Sequence, residues 1–144
     1  MSYTRQMADG LTVLGISARA SNATPQKIGD LWRRFHALGD QKIVEARRDE
    51  AVYCVYCEYE GDASQPYTVA IGCVVAPDAA VPDGFKKIDI AAGTFAVFAV
   101  TGALPMGVFA AWEEVWATPL DRRYQADFDR YGPDGAVTVH VGVR

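Results

Sequence analysis

Cysteine and histidine are scarce in this chain, three and two among 144 residues. Cys54-Val-Tyr-Cys57 has the two-residue gap of some metal and redox sites, but it falls in an expected strand. There a spacing of three sends the two sulfurs to opposite faces. With no second cysteine pair, and with His36 and His140 standing apart, neither a metal site nor a cofactor is expected. No Ser-His-Asp or Cys-His pairing can be assembled either, so nucleophilic catalysis has no obvious carrier. Positive charge is not in excess: 14 Lys and Arg face 18 Asp and Glu, for a net charge of -4 and a pI near 5.1. That balance argues against direct binding of DNA or RNA, which depends on neutralising phosphates. The basic pairs Arg33-Arg34, Arg47-Arg48, Lys86-Lys87 and Arg122-Arg123 each have acidic neighbours and read as solvated surface. No run approaches the roughly eighteen apolar residues of a membrane span. The amino terminus, with Arg5 and Asp9, lacks the apolar core of a signal peptide. A cytoplasmic location is expected, with no membrane partner.

Half the residues are hydrophobic and 22% are charged, the composition of a globular chain. A single domain over residues 1–144 is expected. Met1 to Gly10 is polar and reads as loose. Leu11 to Ala20 reads as a strand in which Gly15 marks a bulge or a close backbone approach. Thr24 and Pro25 open a helix with Ile28, Leu31, Trp32, Phe35 and Leu38 on its apolar face, and Gly39 ends it. Ala51 to Tyr59 and Tyr67 to Val75 read as a hairpin joined through Gly61 to Pro66. After the linker Pro77 to Gly84, Phe85 to Ile90 reads as an edge strand and Thr94 to Thr101 as another. A helix rich in tryptophan follows and ends near Thr118-Pro119. Strands at Tyr124 to Tyr131 and Ala136 to Val143, joined by Gly-Pro-Asp-Gly, close the chain.

The order is strand, helix, strand, strand, and then the same again. Leu14-Gly15-Ile-Ser-Ala18 resembles Ala92-Gly93-Thr-Phe-Ala96 at an offset of 78 residues. The expected fold is therefore α+β: duplicated strand-helix-strand-strand units over residues 11–76 and 85–144. They should form a pseudo-twofold antiparallel sheet with both helices on one face and a cleft between them.

The segment from Phe109 to Tyr131 carries the chemistry. Phe109, Trp112 and Trp116 recur at helical spacing on one face, with Val108 and Val115 beside it, and that face is expected to be buried. In the strand that follows, a period of two sends Asp127, Asp129 and Tyr131 to one side and Phe128 and Arg130 to the other. If the acidic side faces the tryptophans, the result is an aromatic-walled hollow with negative charge at its base, suited to a cationic, partly apolar molecule. If it faces outward, it is a solvated strand face. Aligning the halves sets Tyr56 and Glu58 across from Asp127 and Asp129, and Trp32 of the first helix joins the candidate ligand-binding residues.

The ordered series Leu-Thr-Val-Leu-Gly-Ile-Ser-Ala-Arg, Ile-Gly-Asp-Leu-Trp-Arg-Arg-Phe, Val-Tyr-Cys-Val-Tyr-Cys-Glu-Tyr-Glu, Pro-Tyr-Thr-Val-Ala-Ile-Gly-Cys, Ile-Ala-Ala-Gly-Thr-Phe-Ala-Val-Phe, Ala-Trp-Glu-Glu-Val-Trp and Asp-Phe-Asp-Arg-Tyr resembles the GyrI-like small-molecule-binding family. These are effector-binding domains of AraC-type and MerR-type regulators, multidrug sensors among them, which also occur free-standing. The resemblance implies a central cleft that takes cationic aromatic molecules against a buried acid. It also implies a link to transcription regulation through a regulator protein, or sequestration of a compound. Where the family commonly has glutamate in its Phe-Glu-x-Tyr motif, this chain has Asp129, between the matching Phe128 and Tyr131. The chain is expected to bind and not to turn over its ligand, as a monomer or homodimer. The alternative is a hydrolase of a reactive small molecule that uses the same carboxylates.

Overall fold

The computed structural model describes residues 3–38, 47–61 and 64–144. Eight strands and two helices follow one another as β1 (Thr4–Ala8), β2 (Leu11–Ala20), α1 (Pro25–Leu38), β3 (Val52–Cys57), β4 (Tyr67–Val74), β5 (Lys86–Ile90), β6 (Gly93–Ala99), α2 (Met106–Ala117), β7 (Ala126–Tyr131) and β8 (Val137–Val143). All strands join one sheet in the order β1-β6-β8-β7-β3-β4-β2-β5. Each pairing is antiparallel, so this is an α+β fold.

β-Branched and aromatic residues favour these strands, and their alternation gives the sheet two different faces. On one face Leu14, Ile16, Cys54, Val69 and Ile71 meet Leu31 and Phe35 of α1. On the same face Ala96, Phe98, Val139 and Val141 meet Val108, Ala111, Trp112 and Val115 of α2. Each large apolar side chain buried this way contributes on the order of 1.5–3 kcal/mol. No helix among the described residues covers the other face, yet Val13, Val55 and Ala70 are fully buried there among Tyr53, Ile88, Phe95 and Phe128. The sheet therefore curls on itself to enclose a second core.

Glycine permits the curl. Gly15 and Gly72 face each other across β2 and β4. A Cβ on Gly15 would stand 2.1 Å from the Ile71 carbonyl oxygen, and one on Gly72 would stand 2.0 Å from that of Leu14. The close approach expected at Gly15 is present, with no room for a side chain on either strand.

The strand order reads the same from both ends when β1 to β4 are exchanged for β5 to β8. Connectivity thus repeats, although neither a common origin of the halves nor an exact axis follows from it. The centre of the sheet is the β3–β7 pair, and the gap between α1 and α2 lies over it.

The amino-terminal segment differs from expectation. Thr4–Ala8 forms β1 on the edge of β6, five residues paired from Thr4↔Val97 to Ala8↔Gly93. Its side chains are mostly exposed, so it carries little apolar signal; backbone pairing holds it, helped by Arg5 on the Arg144 carbonyl and Ala8 against the core. Thr24 stands immediately before α1, as expected. Its hydroxyl accepts the Ser21 N–H, and its carbonyl accepts the Lys27 N–H, tying the turn to the start of α1. Gly39, expected to end α1, lies outside the described residues.

Candidate binding cleft

A cleft of about 460 Å³ opens between the helices. Pro25, Ile28 and Trp32 of α1 line one side, and Phe109, Trp112 and Trp116 of α2 line the other. The sheet contributes Tyr56, Tyr67 and Tyr131, joined by Tyr59 and Arg122 from the connecting segments. The rings brace one another edge to face: Trp32 on Tyr131 at 5.0 Å between centroids, and Tyr56 on Trp112 at 5.2 Å. Contacts of this kind add about 0.5–1.5 kcal/mol beyond burial and hold the wall in shape.

Two carboxylates lie behind the wall. The register of β3 on β7 sets Tyr56 opposite Asp127 and Cys54 opposite Asp129, and the period of two turns both acids toward the helices. Both are 0% exposed. Asp127 is fully engaged. It accepts the Tyr59 hydroxyl at 2.5 Å, the Arg122 Nη2 at 2.7 Å and the Gly142 backbone N–H at 2.8 Å. Asp129 has a different shell: Oδ2 accepts the Tyr56 hydroxyl at 2.8 Å and Oδ1 accepts the Trp112 indole N–H at 2.9 Å. Among the described residues no cation lies within ion-pair distance of it.

The electrostatics follow from that difference. Burial pushes the Asp129 carboxyl up to about 7, the Tyr56 and Trp112 hydrogen bonds hold it back, and Asp127 adds to the rise. Burial and then the Asp129 charge also drive the Tyr56 and Tyr131 phenols upward, so both stay neutral donors. With Asp129 ionised, the set Asp127, Asp129 and Arg122 carries a net charge of -1 behind aromatic faces.

The residues singled out in the sequence fall into three groups. Tyr56, Trp112, Trp116, Trp32 and Tyr131 line the cleft, and Asp129 lies directly behind two of them. Asp127 shares that face but is closed off by its own partners. Glu58 is a correction, because it does not reach the cleft. It follows the last residue of β3 with φ at +52°, and this left-handed turn swings its side chain to the opposite face of the sheet. There it accepts the Thr68 hydroxyl at 2.6 Å and pairs with Lys86 at 3.1 Å, 52% exposed. The Thr68 bond foremost, then Lys86, holds its carboxyl below the usual range.

The tryptophan helix also differs from expectation. Val108, Ala111, Trp112 and Val115 are its buried face, while Phe109 and Trp116 are 50% and 53% exposed at the cleft mouth. A stripe recurring at three and four is wider than the strip of helix that touches the sheet, and its edge hangs over the gap. Cys54 and Cys57 do lie on opposite faces of β3, one in each core.

Sequence reasoning missed Arg122, which is 8% exposed and not solvated surface. Its guanidinium lies 4.4 Å from the Tyr124 ring and 5.8 Å from that of Trp112. The isolated bridge Arg122↔Val143 fixes it beside β8. Tyr59 and Tyr67 were missed as well; both sat in segments read only as strand ends.

The family profile Cass2, integron-associated effector binding protein, matches residues 7–142. The chain is 29% identical over 137 residues to YobU of Bacillus subtilis (strain 168), which is named as a candidate transcriptional regulator. That alignment spans 90% of this chain and 86% of YobU. Its fold matches the integron cassette protein VCH_CASS2 from the mobile metagenome of Vibrio cholerae with a TM-score of 0.82 and 29% identity, over 99% of this chain and 95% of that one. It also matches SAV2435, solved bound to tetraphenylphosphonium, with a TM-score of 0.83 and 19% identity, over 100% of this chain and 94% of that one. No helix among the described residues is long and apolar enough to cross a membrane. The chain belongs to the family of integron-associated effector binding proteins.

Proposed function

We propose that the cleft binds a cationic aromatic small molecule, with ionised Asp129 as its counter-ion. The observation that carries this reading is the buried Asp129 carboxylate, which lacks a cationic partner among the described residues and is bonded to two of the aromatic groups that line the cleft. An unpaired buried charge is costly, and an incoming cation supplies the missing partner. Tyr56 and Trp112 each donate a hydrogen bond to the carboxylate, so their rings lie between the cation and its counter-charge. Their faces add about 0.5–2 kcal/mol of cation-π attraction apiece. The tetraphenylphosphonium in SAV2435 is a cation of this class, on a protein with the same fold.

Binding without turnover is part of the proposal. Among the described residues the cleft brings no nucleophile and base together, and Asp129 is screened from bulk water by the rings it holds. The protein then acts by delivering the occupied state to a regulator protein or by sequestering the compound, and the kinship with YobU favours the first.

The test is quenching of tryptophan fluorescence during titration with tetraphenylphosphonium and with the neutral triphenylphosphine oxide, followed by recovery of each compound. Saturable quenching by the cation, at least tenfold tighter than by the oxide and with the compound intact, is the expected result. Equal affinities would remove the counter-ion role. Chemical conversion would turn the reading toward a hydrolase.

A further inference from the structure

A second, more polar cavity of about 430 Å³ adjoins the cleft, lined by Ser64, Thr118, Leu120 and Tyr124. Asn22, Trp116 and Arg122 line both cavities. The guanidinium thus sits in a wall that two hollows share. Asp127 takes one of its nitrogens, Nη2, and Nε is enclosed without a hydrogen-bond partner among the described residues, which leaves the Nη end of the fork to meet a ligand. A buried arginine held by a single nitrogen keeps donors that match a carboxylate. Tyr124 and Trp112 flank the guanidinium and fix its position, and its charge stays on at any ordinary pH.

The Trp112 indole lies between the two charged groups, its N–H on Asp129 and its ring 5.8 Å from the Arg122 guanidinium carbon. We propose that the preferred ligand is a zwitterion: an aromatic cation seated over Tyr56 and Trp112, with a carboxylate arm that passes Trp116 and reaches Arg122 from the smaller cavity. This deepens the cationic reading of the same cleft and rests on it, but it adds a second recognition point of opposite sign and so a specificity that a plain lipophilic cation cannot satisfy.

The test compares (4-carboxybutyl)triphenylphosphonium with pentyltriphenylphosphonium, a cation of the same length without the carboxylate, at pH 8 in the full chain. The quantity of interest is the ratio of their dissociation constants. It should favour the carboxylate at least tenfold more strongly in the wild-type protein than in Arg122→Gln. Since Arg122 also pairs with buried Asp127, Leu120→Trp serves as the second variant; it fills the smaller cavity and leaves that pair intact, and should cause the same loss. Pentyltriphenylphosphonium binding with a ratio unaltered in either folded variant overturns the zwitterion inference and leaves the cation reading standing. Failure of both phosphoniums to bind the wild-type protein overturns both.

Discussion

Asp127 and Asp129 are two residues apart on one strand, equally buried, and yet chemically unlike. Among the described residues Asp127 has a cation, a hydroxyl and a backbone amide, and Asp129 has two neutral donors. The consequence is a pH dependence with a definite sign. The Asp129 carboxyl titrates near 7 in the folded chain and near 3.8 when exposed. Between those values the folded state holds a proton that the unfolded state has lost, so stability falls as pH rises through the window and levels off above it. The whole effect is on the order of 4 kcal/mol. Asp129→Asn removes it: urea unfolding from pH 4 to 9 should give a flatter profile for the variant, which should be the more stable protein at pH 8. The same variant should lose at least tenfold in affinity for tetraphenylphosphonium and little for the neutral oxide. An unchanged pH profile would mean that the acid is ionised in the free protein. Strand alternation alone was enough to read that both acids share the helix-facing side. Which of them stays unpaired was not legible, because the decision belongs to Arg122, five residues before Asp127, in a turn with no periodicity to place its side chain.

Helix α2 has two functions in one sequence, and each can be tested by a different tryptophan. Trp116 is half exposed, so Trp116→Ala should change stability by no more than about 0.5 kcal/mol while weakening ligand binding severalfold. Trp112→Phe keeps most of the packing but removes a donor from Asp129. Its carboxyl should rise further, and cation binding should need a higher pH, seen as a rightward shift of the affinity profile. Equal behaviour of the two variants would contradict the division of the helix into a packed face and a cleft edge. The sheet has its own sensitive point at the Gly15–Gly72 pair. In Gly72→Ala the new methyl meets the Leu14 carbonyl and the Gly15 Cα of the facing strand, backbone atoms that cannot swing aside. A loss of about 3 kcal/mol is expected, or roughly 6–12 °C in Tm for a chain of this size. The elements themselves were readable, since β2, α1, the β3–β4 hairpin and β8 follow from period, caps and turn residues. β1 was not, because an exposed edge strand is defined by its partner's backbone and not by its own side chains. Glu58 was misread for a related reason: aligning the halves transfers a face only as far as both strands continue, and β3 ends one residue earlier.

At the scale of the whole molecule, the repeated connectivity brings one strand from each half, β3 and β7, together at the centre of the sheet beneath the cleft. The ligand would therefore bridge α1 and α2 across the β3–β7 seam, and its binding free energy becomes folding free energy for the entire sheet. At one hundred times its dissociation constant a ligand adds about 2.7 kcal/mol, which corresponds to roughly 5–10 °C in Tm. Proton competition at Asp129 sets how much of this survives in acid. A permanent cation that requires the ionised carboxylate loses about thirtyfold in apparent affinity at pH 5.5, one and a half pH values below the titration point near 7. The same concentration then adds only about 1 kcal/mol, by the same mass action. Thermal unfolding with tetraphenylphosphonium should accordingly show a large shift at pH 8 and a small one at pH 5.5, with proton release on binding between them. Triphenylphosphine oxide, which has no charge to match, should give shifts that do not depend on pH. Equal shifts for the phosphonium at both pH values would separate ligand binding from the buried acid, and the cleft would then recognise its ligand by aromatic surface alone.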